Sequence, residues 1–196
     1  MWKVNEIFYS LQGEGYNTGT ASVFIRLSGC NLHCAFCDTQ HEQGTMMSLP
    51  EIVEQVMQYP TAPLIVLTGG EPSLWIDKDF VMGLKQMTGK RIAIETNGTR
   101  PLPHGIDWVT LSPKAGLGNS GDAPVVLTCC DELKVVYLGQ DLAQYNNIEA
   151  NHRYLQPCWT KDLEKRHHNL LATVQAVLDN PQWRLSLQTH RIMGIK

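Results

Sequence analysis

The chain has 196 residues, of which 43% are hydrophobic and 18% are charged. This composition is typical of a folded globular protein and excludes a disordered chain, and the length favours a single domain over residues 1–196. The formal net charge of -3 at pH 7 argues against a protein that holds nucleic acid over a broad basic face.

The sequence shows no targeting or membrane segment. Its longest apolar run is far shorter than the roughly 20 residues that cross a bilayer, and residues 1–15 lack the apolar core of a secretory signal. We therefore expect a cytoplasmic protein with neither a membrane nor a nucleic-acid partner. In a reducing compartment, six cysteines are more typical of metal ligands or catalytic groups than of disulfides.

Strands and helices are predicted to alternate along the chain. A strand over Ala21–Ser28 precedes a helix over Ser48–Tyr59, in which Ser48 and Glu51 form a capping box. The unbroken apolar strand Leu64–Thr68 suits a parallel sheet covered on both faces, and Asp77 is predicted to cap the next helix. Further strands are predicted at 91–95, 107–112, 132–138, 153–156 and 183–187, and the last helix at 162–178.

These elements predict an α/β fold, namely an incomplete, open (β/α) barrel of about six mostly parallel strands with about three helices. Repeated strand-helix-strand units produce parallel strands, and 196 residues are few for a closed eight-unit barrel. Residues 115–131 carry neither a strand nor a helix signal, so we expect a second subunit to cover the open side. The chemistry is expected at the carboxyl ends of the strands.

Three cysteines follow the first predicted strand within eight residues, at Cys30, Cys34 and Cys37. Clustered thiolates suit zinc, copper(I) or an iron-sulfur cluster. A structural zinc site normally needs a fourth protein ligand, for which His33 or His41 would have to serve. Three cysteines on a four-iron cluster leave one iron open to a chelating cofactor.

The spacing Cys-x3-Cys-x2-Cys resembles the radical S-adenosylmethionine (SAM) superfamily. Residues 68–72 (TGGEP), after the second of these strands, resemble the segment that accepts the methionine ammonium of SAM in that superfamily, where glycine permits close backbone approach. Residues 6–15 (EIFYSLQGEG), 24–30 (FIRLSGC), 38–39 (DT) and 188–190 (QTH) further resemble the 7-carboxy-7-deazaguanine synthase family. That resemblance covers nearly the whole chain.

The resemblance implies a reaction and its cofactors. The family converts 6-carboxy-5,6,7,8-tetrahydropterin to 7-carboxy-7-deazaguanine with loss of ammonia, a carbon-nitrogen lyase reaction on the route to 7-deazapurine nucleosides such as queuosine. It implies a 4Fe-4S cluster, SAM and magnesium as cofactors. It also implies a pterin as the small-molecule substrate, a flavodoxin-like electron donor and a homodimer.

The resemblance also assigns residues by motif position. Cys30, Cys34 and Cys37 would hold the cluster, and Thr39 would be the magnesium ligand. The implied SAM contacts are Phe36, Cys37, Asp38, Gly70, Ser112, Pro113, Lys114 and Gln156, with Glu71 and Asn97 as further candidates. The implied substrate contacts are Leu11, Gln12, Gly13, Glu14, Arg26, Thr68, His190 and Lys196.

Arg26 stands in the middle of an apolar strand. A buried charge must find an anionic partner or reach water, and a planar guanidinium matches a substrate carboxylate well. Arg26 is therefore predicted to act in catalysis beside the three cysteines, as is Thr39, whose role the resemblance implies. A structural ion pair remains the alternative for Arg26.

Two other functions stay open at this point. A glycyl-radical enzyme activating protein shares the cysteine spacing and the TGGEP segment, although residues 12–15 (QGEG) and 37–39 (CDT) argue against it. A non-catalytic zinc-binding module would need only the thiols and a histidine. Metal analysis separates the zinc module from both enzymes.

Overall fold

The computed structural model describes residues 1–37, 39–114, 117 and 123–196. Within these residues nine strands form one sheet. The strands are β1 (Trp2–Leu11), β2 (Ala21–Leu27), β3 (Thr45–Met47), β4 (Leu64–Gly69), β5 (Arg91–Thr96), β6 (Trp108–Leu111), β7 (Cys129–Tyr137), β8 (Glu149–Pro157) and β9 (Arg184–Leu185). Their order in the sheet is β3-β1-β2-β4-β5-β6-β7-β8-β9.

The sheet is mostly parallel and open. Strands β2 and β4 to β9 pair in parallel, whereas β1 pairs antiparallel with both β2 and β3. The order begins at β3 and ends at β9, so the two edges are not joined. The predicted open α/β barrel is therefore confirmed.

The prediction of about six strands is too low. Strands β1 and β3 lie outside the predicted set, and β7 begins at Cys129, inside the stretch 115–131 for which no strand is predicted. In β1 the register shifts between Val4 and Glu6, and such a bulge interrupts the two-residue alternation by which a strand is recognised. Strand β3 has only three residues, too few to show any period.

The described part of the chain has four α-helices: α1 (Leu49–Val56), α2 (Lys78–Thr88), α3 (Leu163–Asp179) and α4 (Thr189–Met193). The predicted caps are confirmed. Glu51 accepts hydrogen bonds from the Ser48 N–H (2.7 Å) and hydroxyl (2.6 Å), and Asp77 accepts one from the Phe80 N–H (2.8 Å). Helix α4, with five residues, was not predicted because it is too short for a helical period.

The two faces of the sheet differ in polarity. One face carries the main apolar core, in which Ile25, Leu67 and Ile94 pack with residues of α1 and α2. The opposite face has a small apolar cluster of Phe24, Leu64, Val66 and Ala93. Side chains two residues further along a strand point the same way. Arg26, Thr68 and Glu95 lie two residues after Phe24, Val66 and Ala93, respectively. The face that carries the small cluster therefore becomes polar toward the carboxyl ends of the strands.

Within the described residues, none of the helices is both long and apolar enough to pass through a bilayer.

Candidate active site

A cavity of about 1240 Å³ opens at the carboxyl ends of the parallel strands. It brings together nearly all of the residues singled out from the sequence. The predicted residues that line it are Leu11, Gln12, Gly13, Glu14, Arg26, Cys30, Cys34, Phe36, Cys37, Thr39, Thr68, Gly70, Glu71, Asn97, Ser112, Lys114, Gln156, His190 and Lys196.

Two predicted SAM contacts stand apart from that set. Pro113 is buried and is not among the residues that line the cavity. Its neighbours Ser112 and Lys114 do line it, because consecutive side chains of an extended chain point to opposite sides. A contact between Pro113 and SAM stays a prediction. Asp38 lies outside the described residues.

The three cysteines occupy the loop directly after β2. The Cys37 N–H donates to the carbonyl of Cys34 (3.0 Å), and the Leu32 N–H donates to the sulfur of Cys30 (3.4 Å). Burial raises the pKa of the Cys30 thiol. In the part of the chain that the structure describes, no three Cys, His, Asp or Glu side chains converge on the position of one metal ion. Three cysteine sulfurs from one loop line the cavity, and such clustered thiolates are the donors that iron-sulfur clusters bind.

The glycines after β4 let the backbone approach this loop closely. The Gly70 N–H donates to the carbonyl of Leu27 (3.1 Å), and the Glu71 N–H donates to that of Gly29 (2.9 Å). A Cβ at Gly70 would lie 2.0 Å from the carbonyl oxygen of Gly29 and 3.0 Å from the Cβ of Cys30. The segment after β4 is thus held directly against the start of the cysteine loop.

Glu71 ties the ends of neighbouring strands together. Its side chain is 1% exposed and accepts hydrogen bonds from the Thr96 hydroxyl (2.7 Å) and from the N–H groups of Asn97 (2.7 Å) and Ser73 (3.0 Å). Asn97 in turn donates through Nδ2 to Oδ1 of Asn31 in the cysteine loop (3.1 Å). Both carboxylate oxygens of Glu71 therefore bind protein donors, which indicates a role in holding the loop.

Two further segments complete the wall beyond the cysteine loop. Lys114 follows β6, and its Nζ donates to the carbonyl (2.8 Å) and the hydroxyl (2.5 Å) of Ser112. Burial, and next the charge of Lys134, lower the pKa of Lys114. Gln156, near the end of β8, is buried and accepts a hydrogen bond from the Ser186 hydroxyl (2.9 Å).

The QGEG turn and the QTH motif, far apart in the sequence, meet at the cavity. The Gly13 carbonyl accepts hydrogen bonds from the N–H (2.9 Å) and the hydroxyl (3.0 Å) of Thr189. Gln188 donates through Nε2 to Oε1 of Glu14 (2.8 Å). A Cβ at Gly13 would lie 2.1 Å from Nδ1 of His190, so the glycine makes room for the imidazole.

Arg26 has an anionic partner in the protein. Its Nε donates to Oε1 of Glu6 (2.9 Å), while Nζ of Lys196 pairs with Oε2 of the same carboxylate. Burial acts to raise the pKa of Glu6, but the hydrogen bonds with Lys196 and Arg26 outweigh it and lower the pKa. The structural ion pair of the sequence analysis is therefore present. Among the described residues, the hydrogen bonding of Arg26 uses Nε alone, so both Nη groups remain for another acceptor.

Comparison with known proteins identifies the family. Over 196 residues, all of this chain and all of the relative, the chain is 55% identical to 7-carboxy-7-deazaguanine synthase from Bacteroides thetaiotaomicron. This chain belongs to the 7-carboxy-7-deazaguanine synthase family. The member from Neisseria meningitidis is 37% identical, with 100% of this chain and 94% of the relative covered.

Further comparisons agree with this family. The crystal structure of QueE from Escherichia coli superposes with a TM-score of 0.69 and 27% identity, covering 95% of this chain and 93% of the other. A model of the radical SAM superfamily matches residues 24–117. Membership of that superfamily implies a 4Fe-4S cluster and SAM. The full-length match favours the synthase over the activating protein and the zinc module.

Three charged or polar residues of the synthase cavity received no role in the sequence analysis, although one of them, Gln188, belongs to the QTH motif. Glu95, Lys134 and Gln188 line the cavity and contact Glu14 or one another. The signal that singled out Arg26, a charge within an apolar strand, also applies to Lys134 in β7. Glu95 stands near the carboxyl end of the predicted strand 91–95, where functional residues are expected.

Proposed function

We propose that this chain converts 6-carboxy-5,6,7,8-tetrahydropterin to 7-carboxy-7-deazaguanine with loss of ammonia, as a carbon-nitrogen lyase. The observation that carries the proposal is the meeting of three motif groups at one cavity: the cysteine loop, the TGGEP backbone, and the QGEG turn joined to residues 188–190. We further propose that residues 1–196 act as one unit, in the cytoplasm and as a homodimer, with electrons supplied by a flavodoxin-like protein.

The cofactors fit the residues at the cavity. Cys30, Cys34 and Cys37 would hold the cluster. SAM would contact Phe36, Cys37, Asp38, Gly70, Ser112, Pro113, Lys114 and Gln156. When bound, the cluster and SAM supply a 5'-deoxyadenosyl radical, and the protein contributes position and a shielded cavity.

Thr39 would bind magnesium beside the substrate. Its hydroxyl is a single neutral donor, whereas Mg²⁺ requires about six oxygen ligands. Most of the coordination must therefore come from substrate oxygens and water, so magnesium and substrate would bind together. The position of Thr39 in the cavity wall next to the cysteine loop supports this role.

The remaining residues would orient the pterin. The Nη groups of Arg26 would bind its carboxylate, and Lys196 and His190 would contact the substrate from the end of the chain. Leu11, Gly13, Gln12 and Glu14 would bind the ring edge, since an ionised carboxylate accepts hydrogen bonds from guanidine-like N–H groups. Thr68 would contact the ring from β4.

An anaerobic turnover assay tests the proposal. The cluster-loaded protein is incubated with a reductant, SAM, magnesium and the tetrahydropterin, and mass spectrometry searches for a product lighter by one ammonia. A reaction without SAM is the control. We expect this product only in the complete mixture. Formation of 5'-deoxyadenosine without it would contradict the substrate assignment while leaving the radical SAM chemistry intact.

Replacing Arg26 by alanine tests the carboxylate contact. We expect Arg26→Ala to keep the cluster and substrate-independent SAM cleavage, but to raise the KM for the pterin by about 10- to 100-fold, because a charge-assisted hydrogen bond contributes about 1.5–3 kcal/mol. The matched control is Glu6→Gln, which removes the charge of the protein partner. If both variants raised the KM for the pterin by the same factor, Arg26 would serve the ion pair with Glu6 and not bind the substrate.

A further inference from the structure

Lys134 is a buried lysine at the centre of the cavity wall. Its side chain is 6% exposed, and its Nζ lies 2.5 Å from Oε2 of Glu14 and 3.2 Å from Oε1 of Glu95. No motif of the sequence analysis includes it. A lysine is rarely buried unless its charge is paired, and here one ammonium bridges two carboxylates from different parts of the chain.

The two carboxylates are also held from their other sides. Gln12 donates through Nε2 to Oε1 of Glu95 (3.1 Å), and the Thr68 hydroxyl donates to Oε2 (3.4 Å). Gln188 donates to Oε1 of Glu14 (2.8 Å). Lys134 thus links residues of β4 and β5 to the QGEG turn and to the segment before α4.

The charges around Lys134 make it the counter-ion of an acidic cluster. Glu14, Glu95 and Glu132 face it, while Lys114 and His190 lie near the same groups. Burial acts to raise the pKa of Glu14, but the charge and hydrogen bond of Lys134 outweigh it and lower the pKa to about 2. The same pairing raises the pKa of Lys134 despite its burial. Burial raises the pKa of Glu132.

Resting on the proposed function, we propose that Lys134 is a positioning residue that keeps Glu14 and Glu95 ionised and aligned as acceptors for the N–H groups of the pterin ring edge. Two carboxylates facing one cavity repel each other, and without a counter-ion one of them takes up a proton. A protonated carboxyl loses acceptor capacity. Lys134 would therefore determine substrate affinity without contacting the reacting atoms.

The test compares Lys134→Met with Lys134→Arg in the cluster-loaded enzyme. For Lys134→Met we expect a KM for the pterin at least about 30-fold higher at pH 7, because losing the partner of a buried charge costs about 2 kcal/mol or more. We expect kcat to stay within about threefold, because the cysteine loop and the SAM residues are untouched. Lys134→Arg, which keeps the charge, should restore most of the affinity.

The pH profile separates this role from a merely structural one. In Lys134→Met the pKa of one carboxyl is raised, so its ionised fraction grows with pH and the KM should fall between about pH 6 and 9. In the wild type Glu14 stays ionised over that range, because its pKa is about 2. Lys134→Arg keeps the positive charge that acts on Glu14, Glu95 and Lys114, so its KM should follow that of the wild type over this pH range.

Each outcome decides between the proposals. Suppose that the wild type is active and that Lys134→Met has the same KM and pH profile. This result would overturn the role of Lys134 and leave the proposed function standing. A wild type that makes no product would overturn both. If Lys134→Met does not fold, Glu95→Gln removes one acceptor charge instead. It should raise the KM about tenfold at every pH tested, and an unchanged KM would overturn the inference.

Discussion

Replacing Cys34 by alanine is expected to abolish both cluster formation and turnover. Cys34 lies between Cys30 and Cys37 in a loop whose backbone is tied to the segment after β4, and without it only two of the three proposed cluster ligands remain. We expect iron and sulfide content to fall to background, and activity to fall by at least about a thousandfold, or about 4 kcal/mol in the barrier. Metal analysis, the visible absorption spectrum and the turnover assay measure these effects.

Cys129→Ala is the matched control for that experiment. Cys129 is exposed at the start of β7, at the opposite end of that strand from the cavity. Surface substitutions of this kind usually change the free energy of unfolding by less than about 0.5 kcal/mol, so the variant should keep its iron and its activity. Equal loss of iron in both variants would mean that the cluster ligands have been assigned to the wrong cysteines.

Local sequence signals predicted the parts of the site that lie at the ends of strands. The cysteine loop follows β2, TGGEP overlaps the end of β4, and Ser112 follows β6. The predicted strands 21–28, 64–68 and 107–112 end within one residue of these strands. Because parallel strands present their carboxyl ends at one edge, three separate motifs could be expected at one site. The apolar runs and the caps at Ser48 and Asp77 predicted this alternation of strands and helices.

Contacts between distant segments could not be predicted in the same way. Glu6 faces Arg26 because β1 pairs antiparallel with β2. The bulge in β1 interrupts its alternation of apolar and polar residues, so this strand could not be predicted from the sequence. Lys134 meets Glu14 across 120 positions of the chain. Such pairs depend on the order of the strands in the whole sheet. The hydrophobic periodicity of a single segment does not predict that order.

Replacing Gly70 by alanine should also remove the cluster, but for a steric reason. The added Cβ would lie 2.0 Å from the carbonyl oxygen and 2.5 Å from the carbonyl carbon of Gly29. Both are backbone atoms next to Cys30, so the clash can be relieved only by moving the cysteine loop away from β4. Overpacking of this kind typically costs about 1–3 kcal/mol. We expect iron content and SAM affinity to fall at least about tenfold, with the circular dichroism spectrum of the sheet retained.

Gly83→Ala is the control, because it makes the same change inside α2. There the new Cβ would meet Cδ2 of Leu49 at 2.5 Å, but a leucine side chain can rotate away, and alanine is favoured over glycine in a helix by about 1 kcal/mol. This variant should keep full iron content and at least the stability of the wild type. A Gly70→Ala protein with unchanged iron content and SAM affinity would show that close backbone contact between β4 and the cysteine loop is not required for the site. Comparison of the two variants distinguishes a steric requirement at the cysteine loop from the general effect of adding a methyl group to a glycine.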